Sequence, residues 1–579
     1  MKFLRNVLAT IVGIFAFIIF SFIVIAIIGA FADDGVTIKE NSILHIKLNK
    51  PMAERAQEDP LSEVLMGFSG NLGLIDMVEA IENAKTDDKI KGIYLEPDYP
   101  MTGFASLEAI RDALLEFKES GKFITAYSEV YTESGYYLAS VADNIYINPR
   151  GMFELNGISA NLTFFKGTFD KLGIEPEIFR VGDFKSAVEP FIRKDMSEPN
   201  ELQMKSILGS LYTHYLEKVA ASRNISVTNL EALSDSMVVR KPEEALSHKL
   251  VTGVKYFDEV LAEFREKLEI EEADKINFVS LGKYQKSIDK TNSSKNRIAV
   301  IVAQGDIVSG KGDAQSIGSD KFAKLIRKAR ENDKVKAIVL RVNSGGGGVI
   351  ASDVIWREMM LAKEKKPVIA SMGDYAASGG YYIAMAADKV VAEPNTITGS
   401  IGIFMMLFNM EKFLEEKIGI THDVVKTGEF SDIFTVTRSL NEAERAIFQQ
   451  STNEGYEDFT SKVAKARNMS IADVKKIASG RVWTGLQAKE NGLVDEIGGL
   501  DKAIALAAEA AEITDDYKLR YYPAKKDFLA QIKEELGGGL EEKMLQKQTG
   551  DLYPIAKQIK SLKNYQGVQA RLPFEITFE

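Results

Sequence analysis

The 579-residue chain contains no cysteine, and this absence removes several kinds of chemistry at once. It excludes disulfide bonds, thiolate metal sites and a cysteine nucleophile. It also fits an oxidising compartment, although many cytosolic proteins lack cysteine too. Histidine is scarce as well, and none of the four has the spacing of a zinc motif such as His-Glu-x-x-His. We therefore expect ordinary surface or core roles for these four residues: His45, His214, His248 and His422.

An excess of positive charge is also missing, since the formal net charge is −11. This balance disfavours nucleic acid, or an anionic membrane surface, as the main partner of the bulk of the protein. The length, in turn, is more than two average domains require. A multidomain protein that binds neither DNA nor RNA is therefore expected.

A long apolar run occurs at the N-terminus, where residues 7–31 follow Lys2 and Arg5 and precede Asp33 and Asp34. About 20 apolar residues in a helix span the hydrocarbon core of a bilayer. Positive charge before the run and negative charge after it predict that the N-terminus lies inside and the bulk outside. Residues 1–32 are thus predicted to be a cytoplasmic N-terminus and a single transmembrane anchor.

The alternative interpretation is a cleaved signal peptide, because residues 30–32 read Ala-Phe-Ala, like a cleavage site. The apolar run is longer than the usual signal-peptide core of about 7–15 residues, which favours a retained anchor. With either interpretation the rest of the chain is exported. In a bacterium with two membranes this predicts an inner-membrane protein with its bulk in the periplasm.

The exported part contains an internal repeat. Residues 88–95 resemble residues 333–340, and Gly-Tyr-Tyr-Leu at 135–138 resembles Gly-Tyr-Tyr-Ile at 380–383, both with an offset of 245 residues. Self-similarity at a fixed offset is the signature of duplicated structural units. The predicted organisation is a first copy (40–285), a polar linker (286–296), a second copy (297–515) and a C-terminal extension (516–579).

Each copy alternates short β-branched runs with amphipathic helical runs. In the second copy we predict strands at residues 298–302, 337–342 and 368–372, and helices at 322–331 and 352–363. Such alternation predicts an α/β fold with mostly parallel strands. For the C-terminal extension, its charge and the three glycines at 537–539 suggest helical pieces with a flexible joint.

Two glycine-rich elements of the second copy carry the candidate chemistry. The first is Asn-Ser-Gly-Gly-Gly-Gly at residues 343–348, between a predicted strand and a predicted helix. Glycines there allow positive φ and bring bare N–H groups close to an anionic group. The run fits neither a P-loop nor the Gly-x-Gly-x-x-Gly fingerprint well, so a developing oxyanion is a reasonable guest.

The second element is Gly-Asp-Tyr-Ala-Ala-Ser-Gly-Gly-Tyr-Tyr at residues 373–382. Ser378 lies there among alanines and glycines at a strand-to-helix turn, which leaves its hydroxyl accessible. The arrangement resembles a nucleophile elbow in its logic, though not in its motif. A plain helix N-cap is the alternative role for this serine, and the local sequence does not decide between them.

A serine nucleophile needs a base, and neither glycine element contains a histidine. A lysine can serve if burial keeps its amine neutral near pH 7. Lys185 is the candidate, because Phe184, Ala187 and Val188 give it apolar neighbours. An arbitrarily chosen lysine is far more often a solvated surface residue, so the choice needs a further argument.

The repeat supplies that argument. Aligning Phe184 with Phe430 places Lys185 opposite Ser431, and aligning the Gly-Tyr-Tyr strings places Ser378 opposite Glu133. The first copy thus has the lysine without the serine, and the second has the serine without the lysine. One complete Ser–Lys pair therefore requires both copies, and we predict a site at their interface.

At these residues the sequence resembles peptidase family S49 in its long, tandem-repeat form. The matching strings are Val-Gly-Asp-Phe-Lys-Ser-Ala-Val-Glu-Pro-Phe at 181–191, Arg-Val-Asn-Ser-Gly-Gly-Gly-Gly-Val at 341–349, the element at 373–382, and Thr-Gly-Ser-Ile-Gly at 398–402. The resemblance extends over the anchor and both copies.

The resemblance implies two tandem domains of the ClpP/crotonase type behind one transmembrane helix. It implies a serine endopeptidase with a Ser–Lys dyad that degrades the remnants of cleaved signal peptides. Ser378 takes the place of the family's nucleophile, Lys185 that of its general base, and the backbone N–H groups of Gly346 and Gly379 that of the oxyanion hole. The family further implies a membrane-anchored homotetramer that uses no metal or organic cofactor.

The first loop departs from the family pattern, which has Asn-Ser-Pro-Gly-Gly-Ser. Here Gly345 replaces the proline and Gly348 the last serine. Proline fixes φ, so glycine loosens the loop. The expected oxyanion donors are backbone groups that need no side chain, so the change bears on preorganisation rather than on the presence of the donors.

Two other functions share some of these features. A crotonase-like enzyme acting on acyl-CoA would use the same fold and oxyanion logic, but export removes the chain from coenzyme A. A non-enzymatic membrane scaffold would keep the glycine loops for structural reasons. Covalent labelling of Ser378 by a fluorophosphonate distinguishes a peptidase from both.

Overall fold

The computed structural model describes residues 2–31, 37–56, 72–288, 293–524 and 567–572. The first helix, α1, runs from Lys2 to Phe31, and its side chains are described for residues 5–20. The predicted anchor at residues 7–31 therefore lies partly outside the described side chains. Within the described part of the chain, no helix combines the length and the apolar character needed to cross a membrane.

The first copy folds around a six-stranded sheet. The strands of the first copy, six of which form that sheet, are β1 (Ser42–Lys47), β2 (Met52–Ala53), β3 (Leu72–Gly73), β4 (Ile90–Glu96), β5 (Phe123–Tyr131), β6 (Asn144–Phe153), β7 (Glu175–Arg180), β8 (Gly253–Val254) and β9 (Asn277–Ser280). Its helices are α2 (Leu74–Thr86), α3 (Phe104–Lys118), α4 (Glu133–Ala139), α5 (Lys166–Leu172), α6 (Glu189–Ile192), α7 (Glu198–Arg223), α8 (Val227–Asp235), α9 (Pro242–Ser247), α10 (Phe257–Leu268) and α11 (Leu281–Ser287), with a 3₁₀ turn at Ser186–Val188.

The second copy repeats this plan. Its strands are β10 (Arg297–Gln304), β11 (Asp306–Val308), β12 (Ser316–Gly318), β13 (Val335–Ser344), β14 (Gly346–Gly348), β15 (Val368–Ala377), β16 (Lys389–Ala392), β17 (Ile397–Gly399), β18 (Phe404–Asn409), β19 (Val482–Thr484), β20 (Glu496–Ile497) and β21 (Lys518–Tyr522). Its helices are α12 (Ser319–Glu331), α13 (Val349–Lys363), α14 (Gly379–Ala384), α15 (Glu442–Arg467), α16 (Ile471–Ile477), α17 (Gly485–Glu490) and α18 (Leu500–Ala510), with a π-helical turn at Phe413–Ile418.

The two main sheets are built alike. The first has the order β8-β6-β5-β4-β1-β9, and its strands are all parallel. The second has the order β19-β17-β15-β13-β10-β21, with β16 and β20 branching from β15 and one antiparallel pair, β17 with β19. The central strands read as continuous apolar runs because helices cover the sheets. The predicted α/β class is confirmed, as are the three predicted strands and two predicted helices of the second copy.

Two short strands are described within the C-terminal extension, and residues 525–566 between them, to which the prediction of helical pieces mainly applies, lie outside the described residues. The strand β21 pairs with β10 at the edge of the second sheet, where β9 pairs with β1 in the first. The second copy therefore continues to Tyr522, past the predicted boundary at 515. A last strand, β22 (Gly567–Arg571), joins a sheet near the glycine loop. The predicted joint at 537–539, like residues 289–292 of the predicted linker, lies outside the described residues.

A third sheet holds the two copies together, in the order β12-β11-β14-β22-β18-β7. Its β7 belongs to the first copy and pairs antiparallel with β18 of the second, over the full length of both strands. Apolar side chains seal this joint: Phe179 packs with Met405 and Phe448 in one buried cluster. Because β7 ends five residues before Lys185, this pairing carries that lysine into the second copy.

Candidate active site

Ser378 follows directly on β15, the strand that ends at Ala377. Its backbone has φ 55° and ψ −112°, outside the usual regions for a residue with a side chain. The main chain is held on both sides: the N–H of Ser378 donates to Gly399 O at 2.8 Å, and its carbonyl accepts from Tyr382 N at 2.8 Å. Strained backbone of this kind persists where the surroundings fix it, which is typical of functional sites.

The side chain of Ser378 does not serve as a helix cap. The residue does stand at the N-cap of α14, but its hydroxyl makes no capping hydrogen bond to that helix. Its Oγ lies instead 2.9 Å from the Nζ of Lys185. The hydroxyl is therefore directed toward the lysine rather than used to begin the helix.

Lys185 reaches this point on a loop pinned to the second copy. Val181 N donates to Ile403 O at 3.1 Å, and Phe184 N donates to Ser479 O at 3.1 Å. The chain passes so close to Gly480 that a Cβ there would lie 2.7 Å from the Cα of Lys185. Glycine at 480, with φ 80°, is thus required both by its conformation and by this contact.

The amine of Lys185 has three polar neighbours. Its Nζ lies 2.9 Å from Ser378 Oγ, 2.9 Å from Ser400 Oγ and 3.2 Å from Ser400 O. A neutral amine satisfies these contacts by donating to the two Ser400 oxygens and accepting from the Ser378 hydroxyl. The side chain is fully buried, and this burial lowers the pKa of Lys185 well below its ordinary value.

Ser400 is a part of the site that the sequence did not single out. It follows β17 with φ 49°, and its N–H donates to Arg481 O at 2.7 Å. The only available signal was its place in the Thr-Gly-Ser-Ile-Gly string at 398–402, which carried no role by itself. Through both its hydroxyl and its carbonyl, Ser400 fixes the position of the Lys185 amine.

The glycine loop passes beside the serine. A Cβ on Gly346 would lie 2.7 Å from the amide nitrogen of Gly379, so the two predicted oxyanion donors are neighbours. Gly346 has φ 105°, a conformation that glycine adopts without strain. Its N–H, however, donates to Ser344 Oγ at 3.1 Å. A substrate oxygen would have to share that donor or displace the serine hydroxyl.

A buried carboxylate from the first copy supports this loop. Glu54 accepts from Arg341 Nε at 2.9 Å and from Asn343 Nδ2 at 2.9 Å. The Oδ1 of Asn343 accepts in turn from Tyr375 N at 3.2 Å, which ties the loop to the strand that carries Ser378. Glu54 lies far from the other groups in the sequence, and no local pattern indicated its role. Elsewhere in the described ranges, no three His, Asp or Glu side chains gather as a metal site would require.

Comparison with known proteins finds similarity over most of the chain. The sequence model of peptidase family S49 matches residues 116–271 and 360–514, one stretch in each copy, and that of Clp protease matches residues 290–398. Protease 4 of Salmonella typhi is 39% identical over 476 residues, which cover 81% of this chain and 76% of that protein. The chloroplastic serine protease SPPA of Arabidopsis thaliana is 36% identical, over 77% of this chain and 67% of that protein.

Among solved structures, a mutant of ClpP1 from Listeria monocytogenes matches with 18% identity and a TM-score of 0.24, over 35% of this chain and 94% of that one. That score is too low to carry an argument about the fold. The S49 regions cover more than half of the chain, and the similarity to Protease 4 extends over most of both proteins. The chain therefore belongs to peptidase family S49 and is a serine peptidase with two S49 regions in tandem.

Proposed function

We propose that this protein is a membrane-anchored endopeptidase in which Ser378 is the nucleophile and Lys185 the general base, and that it degrades cleaved signal peptides. The observation that carries the proposal is the 2.9 Å contact between Ser378 Oγ and an amine from the other copy, in a fully buried crevice. A buried amine whose pKa is lowered is neutral at a pH where a solvated lysine is charged, so its lone pair can accept a proton.

The reaction would begin when the Lys185 lone pair takes the proton of the Ser378 hydroxyl. Ser378 Oγ then attacks the carbonyl carbon of the scissile bond, while Ser400 holds the amine in place through its two acceptors. The N–H groups of Gly346 and Gly379 would receive the oxyanion, each contributing about 2.7–4 kcal/mol in comparable sites. The Lys185 ammonium gives its proton to the leaving amine, and water repeats the cycle on the ester.

The membrane part of the proposal rests on the N-terminal segment. At 1.5 Å per residue, the 30 residues of α1 reach about 45 Å, more than the thickness of a hydrocarbon core. Large apolar side chains on it are solvent-exposed, with Phe15 at 66% and Phe17 at 71%, which suits a lipid environment. With Lys2 and Arg5 on the inner side, the bulk of the chain would lie in the periplasm.

Assembly as a homotetramer is supported by two segments of the chain that lack the pairing their counterparts in the other copy make. Within the chain, β7 pairs with β18. The repeat places residues 421–426 in the position of β7 and residues 159–164 in the position of β18, yet neither stretch forms a strand here. If residues 421–426 of one protomer paired with residues 159–164 of the next, the same joint would repeat between chains. Head-to-tail contacts of this kind form a ring when the rotation between neighbouring protomers closes, and a homotetramer is the ring of four.

The decisive experiment compares wild type with Ser378→Ala on a peptide library that includes signal-peptide sequences. Wild type is expected to cut the peptides, to react with a fluorophosphonate at Ser378, and to lose both properties in the variant. Cleavage that survives in purified Ser378→Ala protein would show that another residue is the nucleophile. An unlabelled, inactive wild type would favour the scaffold alternative.

A further inference from the structure

The helix α7 of the first copy packs against β19 of the second and forms a further joint between the copies. Ile207 and Leu211 of the helix share a buried apolar cluster with Val482 of the strand. Ser210 and Thr484 add a hydrogen bond of 2.9 Å between their hydroxyl oxygens. The joint is therefore fixed by specific hydrogen bonds as well as by apolar packing.

Gln203, on the same helix, makes the hydrogen bonds of this joint that reach the lysine loop, the segment 181–186 that carries Lys185. Its side chain is fully buried. Its Nε2 donates to Ser186 Oγ at 2.8 Å and to Phe184 O at 3.3 Å, so it contacts the residues on both sides of Lys185. Its Oε1 accepts from Val482 N at 3.3 Å. One side chain thus links the lysine loop to a strand of the second copy.

The second copy continues this link as far as the amine. Val482 follows Arg481, whose carbonyl oxygen accepts from Ser400 N at 2.7 Å. Ser400 in turn accepts from the Nζ of Lys185 at 2.9 Å and 3.2 Å. These contacts form a closed ring that runs from the amine through Ser400 and β19 to Gln203 and back to the lysine loop. Gln203 closes the ring, so the distance between the lysine loop and Ser400 depends on it.

The two backbone groups that Gln203 joins require an amide. Phe184 O can only accept and Val482 N can only donate, and a carboxamide supplies both a donor and an acceptor. Asn200 fixes the orientation of this amide, because its Oδ1 accepts from Gln203 Nε2 at 3.1 Å while its Nδ2 donates to Glu189 Oε2 at 2.9 Å. A carboxylate at position 203 would have no hydrogen for Phe184 O, and an apolar side chain would leave buried polar groups unpaired.

The charged groups around the lysine loop do not account for the state of the amine. Arg180 Nη1 lies 3.4 Å from Lys185 O and 3.9 Å from Glu189 Oε1, and the guanidinium of Arg481 lies 5.0 Å from the centroid of the Phe184 ring. Burial, rather than any of these charges, lowers the pKa of Lys185. The amine therefore stays neutral only while the crevice excludes water.

We propose that Gln203 is a positioning residue for the Ser378–Lys185 pair, which keeps the lysine loop against β19 and the amine inside the closed crevice. The proposal rests on the function assigned above to Ser378 and Lys185. Gln203 bonds to the residues that flank Lys185, so it acts through the lysine loop rather than on the reacting atoms. Without its hydrogen bonds the loop separates from β19, water reaches the amine, and the pKa of Lys185 rises toward its ordinary value.

The pH dependence of kcat/KM in the full-length protein tests the proposal with two variants. Gln203→Met keeps the bulk of the side chain but makes no hydrogen bond, and Gln203→Glu keeps its length but cannot donate to Phe184 O. Each is expected to lower kcat about 10–10²-fold with little change in KM, because the base is misplaced. Each should also move the acid limb to higher pH, by about one unit or more. The larger shift is expected from Gln203→Glu, because a buried carboxylate favours the charged amine.

Ser210→Ala is the matched control, because it removes a hydrogen bond from the same joint without contacting the lysine loop. It is expected to keep the wild-type kcat and acid limb. Ser186→Ala is a milder variant that removes the 2.8 Å acceptor of Gln203 and should move the acid limb in the same direction by a smaller amount. Added to Gln203→Met it should change nothing more, since that bond is already lost. Ser186→Ala decides the question if a Gln203 variant does not fold.

The outcomes separate this proposal from the proposed function. Folded Gln203 variants that keep the wild-type acid limb overturn the positioning role, even when their thermal midpoint falls, because the glutamine then serves the fold alone. An equal shift in Ser210→Ala also overturns it, since any weakening of the joint would then have the same effect. Both results leave the peptidase assignment intact. Hydrolysis that persists in Ser378→Ala protein contradicts the proposed function instead.

Discussion

Helices α4 and α14, one in each copy, make the same tyrosine hydrogen bond but differ at the residue where each begins. Tyr136 in the first copy donates its hydroxyl to Leu250 O at 2.7 Å, and Tyr381 in the second donates to Leu493 O at 3.0 Å. These tyrosines are related by the repeat offset of 245 residues. This hydrogen bond occurs in both copies, whereas only one copy carries the serine. It therefore stabilises the fold rather than the candidate site.

The aspartates after these helices repeat as well. Asp143 accepts from Ile124 N at 2.8 Å, and Asp388 accepts from Val368 N at 2.9 Å, so each fixes the first residues of a central strand. Each also pairs with a lysine, Lys118 at 3.0 Å and Lys363 at 3.3 Å. The repeated residues thus define the part of the sequence that the fold itself requires.

The residues proposed for catalysis are the ones that the two copies do not share. Glu133 stands where the second copy has Ser378, and the buried Leu155 stands where it has Ser400. Phe179 of the first copy is buried in the joint between the copies, whereas its counterpart Val425 is 97% exposed. Both copies thus have the same scaffold, but the lysine comes from the first copy and the two serines come from the second. Variants that alter one copy at a time can test this division.

The largest effect is expected from Lys185→Met, which removes the amine but preserves the length of the side chain. Loss of general-base catalysis should lower kcat about 10²–10⁴-fold. In wild type, kcat/KM should rise with pH through the pKa of Lys185, so the acid limb should lie well below the pKa of an ordinary lysine. Steady-state kinetics across pH measure both effects, and an acid limb at the ordinary lysine pKa would contradict a neutral buried base.

The same variant should be more stable than wild type near neutral pH. Because the pKa of Lys185 is lower in the folded state, the unfolded chain binds the extra proton more readily, and folding is penalised below the unfolded pKa of about 10.5. The penalty fades as pH rises to that value, so the gain in thermal midpoint should shrink between pH 7 and pH 10. Lys205→Met is the matched control: its side chain is 75% exposed, and neither activity nor midpoint should change.

An intermediate effect is expected from Val425→Asp, which places a charge on the segment that corresponds to β7. If this segment pairs with a second chain, the charge should break the contact and reduce the mass measured by light scattering in detergent from that of a tetramer to that of a monomer. Ile471→Asp is the control, because Ile471 is also exposed, at 48%, but lies on the separate helix α16. A Val425→Asp protein that keeps the wild-type mass would contradict the proposed joint.

The sequence predicted the parts of this molecule that depend on local pattern or on the repeat. Strands and helices of the second copy followed from their periodicity, and the repeat selected Lys185 and Ser378, which the structure places 2.9 Å apart. Their catalytic roles remain a prediction. Ser400 could not be chosen, because its place depends on the pairing of β17 with β19, whose partners lie more than 80 residues apart.

The C-terminal strand shows the same limit more clearly. Its partner β14 lies more than 200 residues earlier, and five residues of mixed polarity give no strand signal by themselves. The bond from Gly346 N to Ser344 Oγ was also beyond reach, because it depends on the φ of one glycine rather than on a pattern. Long-range pairing and individual backbone angles decide these details, and neither is written in a short window of sequence.

The smallest effect on activity is expected from moving the nucleophile to the first copy. In Ser378→Ala protein, the added change Glu133→Ser recreates a serine at the corresponding turn, but no hydrolysis should return. The second copy offers Ser431 in the position of Lys185, and that residue is exposed, with its hydroxyl donating to Gly428 O at 2.8 Å. Fluorophosphonate labelling and peptide digestion measure the result, and restored activity would show that a lysine from another source reaches the first copy.

The Glu133→Ser change should also lower the stability of the protein, because Glu133 makes structural hydrogen bonds in the first copy. Its Oε1 accepts from Asn156 N and Gly157 N, each at 2.8 Å, so the carboxylate holds the turn that in the second copy leads to the Lys185 crevice. Serine is too short to reach both amides, and losing these bonds should reduce the free energy of unfolding by about 1–3 kcal/mol. Glu133→Gln keeps one acceptor oxygen and should retain most of that stability in thermal unfolding. If Glu133→Ser and Glu133→Gln unfold alike, the negative charge of Glu133 rather than its acceptor oxygens stabilises this turn.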